Sequence, residues 1–308
     1  MNRDELRKII VGPMATVGTP FDENYEVDLG KMYEMIQWYV ENGLVTGKAV
    51  IKVAAAMGEG PQLRDWEWQA LLQTAVQAAG NKATIMCGLH YKDTIRQIED
   101  ANRAADLGAV AVQVSPPVHN GPTRTDVIRF YDDLANGSDT GIMIYNTGGM
   151  LGDLIQIDDY RTMVENDNVV AIKWSSPGHD YEDLFEFKDR VNIIDNTKNP
   201  VRNHKLGGHG FINWTSEIVP SFDLGIVEMM DAGLYDKAEN EWNRVYEPLT
   251  EIMTKLGQRS GGQARMKKGL MKITGKDIGD SRPPSEPLTA DELADLRQVF
   301  SSLGFEVV

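Results

Sequence analysis

Short runs of apolar, often β-branched residues alternate with longer amphipathic segments along most of the chain. The runs are nearly continuous in apolar residues, a pattern typical of parallel strands that are buried on both faces. We therefore predict eight strands: Ile9–Met14, Ala49–Val53, Ala83–Met86, Ala109–Val114, Gly141–Tyr145, Val169–Ile172, Val191–Ile194 and Gly210–Asn213.

Between these strands, apolar residues recur at the spacing of amphipathic helices. The predicted helices are Leu29–Glu41, Asp65–Ala79, Thr94–Leu107, Thr125–Ala135, Ile157–Val164, Tyr181–Lys188 and Val201–Leu206. Eight strands that alternate with helices predict an α/β protein with a closed (β/α)8 barrel, or TIM barrel. A doubly wound sheet is the alternative, but no glycine-rich dinucleotide-binding sequence follows the first strand.

After the eighth strand the pattern is helical to the end of the sequence. The predicted helices are Glu217–Ala232, Tyr235–Leu256, Gly262–Ile273 and Asp291–Leu303. A proline-rich segment at 281–287 predicts a linker, and Thr289 is the expected N-cap of the last helix. We therefore expect a barrel over residues 1–232 and a C-terminal helical extension over residues 233–308.

The composition is that of a globular protein with an acidic surface. Of the 308 residues, 46 are Asp or Glu and 31 are Lys or Arg, which gives a net charge of −15. Such a surface repels nucleic acid phosphates and anionic lipid headgroups, so we expect neither as a partner. The sequence contains no run of about 18 apolar residues that would span a membrane.

The cysteine content and the start of the sequence indicate the cellular compartment of the protein. Cys87 is the only cysteine, which excludes an internal disulfide and a multi-cysteine metal cluster. The first eight residues are rich in charge and no apolar signal region follows them. These features favour a reduced, cytoplasmic compartment.

Two lysines stand in predicted strands, where a charge is unusual. Lys173 closes the sixth strand, and side-chain alternation places it on the same face as Val169 and Ala171. An amine at the mouth of an apolar barrel has a depressed pKa, and such a lysine condenses with a ketone to a Schiff base. Lys52, in the middle of the second strand, is the rival candidate, and spacing alone does not separate the two.

Other candidate residues stand just after the C-terminal ends of strands, where the active sites of (β/α)8 barrels lie. Tyr145 ends the fifth strand, next to that of Lys173, and its phenol can move protons. The small residues of the segment 55–60, after the second strand, allow backbone N–H groups to approach a carboxylate. A core tyrosine and an ordinary turn remain the alternative interpretations.

Six short motifs occur in a recognisable order along residues 10–275. They are Gly18-Thr19-Pro20-Phe21, Gly58-Glu59, Ser115-Pro116-Pro117, Tyr145-Asn146, Ile172-Lys173 and Gly208-His209-Gly210-Phe211-Ile212. In this ordered set the chain resembles the dihydrodipicolinate synthase / N-acetylneuraminate lyase family of class I aldolases.

The resemblance implies a (β/α)8 barrel with a helical C-terminal extension, and a homo-oligomer, either a tetramer or a dimer. It implies that Lys173 is the Schiff-base lysine for pyruvate or another 2-oxo acid, and that Tyr145 moves protons at the adduct. Ala56 and Met57 match the paired threonines that hold the substrate carboxylate in the family. No cofactor and no metal are implied.

Three departures from the family pattern argue against dihydrodipicolinate synthesis itself. The Gly-Thr-Thr-Gly-Glu of the family is here Ala55-Ala56-Met57-Gly58-Glu59, so both hydroxyls are missing. The Pro-Tyr-Tyr after the fourth strand is Pro117-Val118-His119, where His119 is a candidate acid or base at the substrate. Met150 stands where the synthases carry an arginine for the second substrate.

Further polar residues at strand ends are candidates for recognising the distal end of a substrate, Asn213 among them. The others are His90, Tyr91, Trp174, Ser175, Asn196 and Lys198. The leading hypothesis is a Schiff-base lyase, either an aldolase or a dehydratase. A non-catalytic barrel that binds 2-oxo acids is the second, and a metal-dependent aldolase is the third, although no two of the five histidines are four residues apart.

Overall fold

The computed structural model describes residues 1–118, 121–146, 155–175 and 181–308. Eight parallel strands close into a barrel in the order of the sequence. They are β1 Gly12–Thr16, β2 Val50–Val53, β3 Thr84–Leu89, β4 Ala111–Val114, β5 Gly141–Asn146, β6 Val169–Trp174, β7 Asn192–Asp195 and β8 Gly210–Asn213. The predicted (β/α)8 barrel is confirmed.

Helices surround the barrel and follow it. The described ones are α1 Arg3–Ile9, α2 Leu29–Glu41, α3 Asp65–Ala79, α4 Thr94–Asp106, α5 Arg124–Gly137, α6 Ile157–Met163, α7 Pro200–Leu206, α8 Pro220–Asp231, α9 Tyr235–Gly257, α10 Gln263–Ile273 and α11 Ala290–Ser302. Thr289 caps α11 as expected, because its side chain accepts from the N–H of Glu292. The predicted boundary at residues 232 and 233 falls in the turn between α8 and α9.

Two segments differ from the predicted elements. Ile9 ends helix α1 instead of starting β1, since Asn2 and Glu5 form a capping box and Leu6 packs into the floor of the barrel. The predicted helix Tyr181–Lys188 is a 3-10 turn at Asp183–Phe187. In that turn Phe185 and Phe187 are both buried, a spacing of two that an α-helix does not place on one face.

The interior of the barrel is built in layers of four side chains from alternate strands. The strand register places Met14, Met86, Met143 and Ile194 in one layer, and these residues belong to one buried cluster. The next layer toward the C-terminal ends consists of Lys52, Gln113, Lys173 and Ile212. Both strand lysines therefore lie inside the barrel, at one level.

The alternation predicted for β6 holds only in its second half. The register between β5 and β6 shifts between Ile142 and Met143, so that Val170 has no partner of its own. Val170 and Ala171 both pack in the inner cluster, whereas Val169 packs in the outer one with the helices. A local irregularity of this kind turns side chains to the other face, and sequence alternation does not reveal it.

Ion pairs with little exposure attach the extension to the barrel. In α10, Lys267 pairs with Glu217 at 2.5 Å and Lys268 pairs with Glu59 at 2.7 Å. Both carboxylates belong to segments that follow barrel strands. Among the described residues, no helix is long and apolar enough to cross a membrane.

Candidate active site

A cavity of about 230 Å³ opens at the C-terminal ends of the strands. Predicted site residues that line it together are Lys173, Tyr145, Ala56, Met57 and Asn213. His119 and Met150 lie outside the described residues. The sequence analysis missed Tyr246 and Gln263, which line the same cavity from the helical extension.

Lys173 supplies the amine of this cavity. Its side chain is only 5% exposed, and burial lowers its pKa from 10.5 to about 7, with a smaller effect of the Lys267 charge. The Nζ atom lies 3.7 Å from the ring centroid of Tyr145. At neutral pH a large fraction of Lys173 is therefore the free amine, which is the nucleophilic form.

Lys52 has a different environment, although it belongs to the same layer. Its side chain is fully buried, and its Nζ donates to Oε1 of Gln113 at 2.5 Å. It is not among the residues that line the cavity. Burial, and then the charges of Lys173 and Lys267, lower the pKa of Lys52 well below its usual value. Lys173 is therefore accessible from the cavity, whereas Lys52 is not.

Tyr145 stands above Lys173, paired with it in register. Burial raises the pKa of the Tyr145 phenol, and a hydrogen bond with Ser175 partly opposes this rise. Ser175 in turn accepts from Nδ2 of Asn196 at 2.8 Å. The Tyr145 phenol is therefore protonated at neutral pH, and hydrogen bonds link it through Ser175 to Asn196.

The segment after β2 forms the wall opposite these groups. Ala56–Gly58 is a short 3-10 turn, and Thr19 Oγ1 donates to the carbonyl of Gly58 at 2.6 Å. Gly88 permits this arrangement, because a Cβ there would lie 2.5 Å from the Cα of Ala55. The first N–H groups of a helical turn have no acceptor inside it, so those of Ala56 and Met57 are available to an anion.

Asn213 lines the cavity, but its side chain is engaged elsewhere. Its Nδ2 donates to Oδ1 of Asp223 at 2.8 Å and to Thr215, and its Oδ1 accepts from the Trp214 N–H at 2.8 Å. The Asp223 carboxyl is buried, which raises its pKa to about 6. These contacts hold the end of β8 against α8, and substrate contact by Asn213 stays a prediction.

Lys198, which follows β7, also lines the cavity. Its backbone has a φ of 75°, and its carbonyl accepts from Nε1 of Trp242 at 3.1 Å. Its Nζ lies 5.5 Å from the ring centroid of Tyr246, which stacks on Trp214. The cavity thus contains a second amine besides that of Lys173, and aromatic rings stand beside this second amine.

A third group of polar side chains follows β3 and β4. His90 Nδ1 lies 3.0 Å from Ser115 Oγ, and His90 Nε2 lies 3.1 Å from the carbonyl of Ala54. Burial lowers the pKa of His90 to about 4, so the imidazole is neutral. Tyr91 is also hydrogen-bonded with Ser115. In the described part of the chain, no group of three or more His, Cys, Asp or Glu side chains is placed to hold a metal ion.

An amine of lowered pKa at the mouth of a (β/α)8 barrel, beneath a tyrosine, is typical of enzymes that condense a lysine with a carbonyl substrate. Residues 10–303 match the model of the dihydrodipicolinate synthetase family, and the chain belongs to that family. Its members include the 4-hydroxy-tetrahydrodipicolinate synthases, and family membership supports a lyase function of the Schiff-base, pyruvate-dependent kind.

Individual relatives are distant but cover 90% or more of the chain. The 4-hydroxy-tetrahydrodipicolinate synthase 1 of Halalkalibacterium halodurans is 25% identical over 283 residues, which are 90% of this chain and 92% of that protein. The dihydrodipicolinate synthase structure from Oceanobacillus iheyensis covers 99% of this chain and 100% of its own, with 20% identity and a TM-score of 0.86.

A family protein encoded by a prophage of E. coli K12 has been solved in complex with pyruvate. It is 17% identical, with a TM-score of 0.85 over 96% of this chain and 98% of that one. At these identities the solved structures show the fold that the chain shares with them.

Proposed function

We propose that this protein is a Schiff-base lyase, an aldolase or a dehydratase, that acts on pyruvate or a longer 2-oxo acid through Lys173. The observation that carries the proposal is the Lys173 amine, which faces the cavity with its pKa lowered to about 7. The E. coli prophage protein with the same fold was solved with pyruvate, which supports the substrate class.

The proposed chemistry assigns one role to each wall of the cavity. The Lys173 amine attacks the ketone, and loss of water leaves an iminium that withdraws electrons from the neighbouring carbons. Tyr145 exchanges protons with the oxygen that leaves and with the carbon next to the iminium. The N–H groups of Ala56 and Met57 hold the carboxylate that adjoins the ketone.

We propose that the substrate is not that of a true dihydrodipicolinate synthase. Ala56 and Met57 offer no hydroxyl to the bound acid, and Met150 and Val118 replace polar residues of the synthases. We therefore expect aspartate semialdehyde to be a poor substrate in a coupled assay with pyruvate. Efficient condensation of the two compounds would contradict this expectation.

A second amine in the cavity favours a substrate longer than pyruvate. Lys198, Asn196 and Gln263 line the cavity together with Lys173, and among the described residues no carboxylate forms an ion pair with Lys198. An ammonium next to an aromatic ring binds a carboxylate or another anionic group well when the site is partly shielded from water. We infer a 2-oxo acid that carries an anionic group at its other end.

Reduction with borohydride tests the proposal directly. Treatment with pyruvate and borohydride is expected to add one reduced adduct to Lys173, located by peptide mass spectrometry. The Lys173→Ala variant is expected to form none, and the Lys52→Ala variant is expected to keep the adduct. Labelling of Lys52, or no mass increase with pyruvate or longer 2-oxo acids, would refute the assignment.

A second candidate function is a barrel that binds 2-oxo acids without turning them over. The missing hydroxyls at Ala56 and Met57 are the observation that favours it. Saturable binding of 2-oxo acids by calorimetry, without turnover or a reducible adduct, would support this candidate over the lyase.

Two further proposals concern the oligomeric state of the protein and its location in the cell. We propose a homo-oligomer, a tetramer or a dimer, which light scattering of the purified protein measures. We propose a cytoplasmic location, which fractionation of cells that express the protein tests.

A further inference from the structure

Thr16, the last residue of β1, lines the cavity together with Lys173 and Tyr145. The residue is only 3% exposed, and its Oγ1 has no hydrogen-bond partner among the described residues. A buried hydroxyl without a partner lowers the stability of a protein, so each such group requires an explanation. The position of Thr16 points to a bound ligand as the partner of this hydroxyl.

The strand register places Thr16 in the layer above the two strand lysines. Thr16 lies two residues after Met14 in β1. Tyr145 lies two residues after Met143 in β5, and the two methionines belong to one layer of the barrel. Thr16 and Tyr145 therefore share the next layer but one. Because β1 and β5 are opposite each other in a closed barrel of eight strands, these two residues form facing walls of the cavity.

The turn at Ala56–Gly58 lies directly against the end of β1. A Cβ on Gly58 would stand 2.2 Å from the Val17 carbonyl oxygen, so glycine is required for this close approach. Val17 itself packs in the outer cluster with the helices, whereas Thr16 lines the cavity. Thr16 thus stands on the same side of the cavity as the backbone N–H groups of this turn, and it adds a side-chain donor to them.

The helical extension fixes the backbone of Thr16. Lys267 of α10 donates to the Thr16 carbonyl and forms an ion pair with Glu217 at 2.5 Å. The same carboxylate accepts from the Gly18 N–H at 2.9 Å, so one buried ion pair holds the end of β1 at two points. The hydroxyl of Thr16 turns about a single bond and therefore meets an acceptor without movement of this backbone.

We propose that the Thr16 hydroxyl donates a hydrogen bond to the carboxylate of the bound 2-oxo acid. The acid then lies across the cavity, with its carboxylate toward β1 and β2 and its ketone toward Lys173 and Tyr145. A hydrogen bond to a charged acceptor is about twice as strong as one between neutral groups, so this hydroxyl contributes to binding. The inference rests on the proposed Schiff-base function and assigns a residue to the recognition of its substrate.

The test removes the hydroxyl and keeps the shape of the side chain. Thr16→Val is expected to raise the pyruvate concentration for half-maximal borohydride trapping about 10- to 100-fold, the effect of losing a hydrogen bond to a charged group. Thr16→Ser keeps the hydroxyl and is expected to stay within about threefold of wild type. Methyl pyruvate keeps the ketone but lacks the charge, so its value is expected to change about threefold or less in Thr16→Val.

Denaturant unfolding without ligand separates a role in binding from a role in structure. Thr16→Val removes a hydroxyl that has no partner among the described residues, so the free energy of unfolding is expected to stay the same or to rise. Thr84→Val is the matched control, because the buried Thr84 hydroxyl, at the other end of the barrel in β3, donates to Thr46 Oγ1 at 3.3 Å. This control is expected to lose stability and to keep the wild-type affinity for pyruvate.

Each failure has a separate meaning. Wild-type affinity for pyruvate in Thr16→Val overturns the role of Thr16 and leaves the Schiff-base function standing. An equal loss with pyruvate and methyl pyruvate, or a loss of stability like that of Thr84→Val, shows a structural role and also overturns the proposal. If wild type forms no adduct, the lyase function fails, and calorimetry with pyruvate decides the role of Thr16: weaker binding by Thr16→Val supports it, and no binding by wild type overturns it as well.

Discussion

At the scale of single residues, the environment of each lysine in the barrel, more than its place in the sequence, determines whether its amine can meet a substrate. Lys52 and Lys173 occupy one layer of the barrel, and burial lowers the pKa of both. Only Lys173 faces the cavity, whereas Gln113 covers Lys52. This distinction depends on which side chains surround each amine in the closed barrel, and a single sequence does not contain that information.

The lowered pKa of Lys173 predicts how adduct formation depends on pH. Only the free amine attacks, so the rate with pyruvate is expected to rise with pH and to level off above about 7. Below that pH, Lys173 gains a proton and the rate falls about tenfold per pH unit. Borohydride trapping after short mixing times measures this profile. A midpoint near 10, the ordinary value of lysine, would contradict it.

The amine of Lys198 predicts substrate discrimination. We expect Lys198→Gln to raise KM about tenfold for a 2-oxo acid with a distal carboxylate, which corresponds to about 1.4 kcal/mol. Adduct formation with pyruvate, which carries no distal carboxylate, is expected to stay unchanged. Lys205→Gln is the matched control, because Lys205 also lies over a tyrosine ring, at 5.1 Å from that of Tyr235, but outside the cavity. Equal KM values for both variants would contradict the prediction.

At the scale of elements, local signals predicted most of the fold. Helices α2 and α3 have the predicted bounds, because the apolar periodicity of both is clear, and Asp28 caps α2. The signal for α1 was present as the pair Asn2 and Glu5, but the apolar run that follows obscured it. The cavity residues Tyr246 and Gln263 were beyond prediction, since they approach the strands only after the extension folds back.

The contact of the extension with the barrel predicts a stability effect. Lys268→Met leaves the buried Glu59 carboxylate without its partner, so we expect the free energy of unfolding to fall by about 3–5 kcal/mol. The control Lys255→Met removes an exposed pair with Asp295, for which we expect a change of about 0–1 kcal/mol. Denaturant unfolding followed by circular dichroism measures both. Similar losses in the two variants would contradict the argument.

At the scale of the whole molecule, the charge of −15 opposes the proposed substrates, which are anions themselves. Lys198 and the protonated fraction of Lys173 supply positive charge at the cavity, whereas the nearby Lys267 is neutralised by its ion pair with Glu217. The acidic surface repels an approaching anion over about one Debye length, whereas the cavity lysines attract the anion only at contact distance. An anionic substrate is therefore repelled by the surface at long range and attracted by the cavity at short range.

This separation predicts an unusual response to salt. The Debye length falls from about 30 Å at 0.01 M ionic strength to about 8 Å at 0.15 M, so added salt screens the surface charge more than the enclosed lysines. We expect KM for pyruvate to fall over this range, because the anion then approaches with less repulsion. The methyl ester of pyruvate, which is neutral, is the control and is expected to form its adduct at a rate independent of salt. A rise in KM for pyruvate with salt would show that the local lysines already dominate the field that an approaching substrate meets.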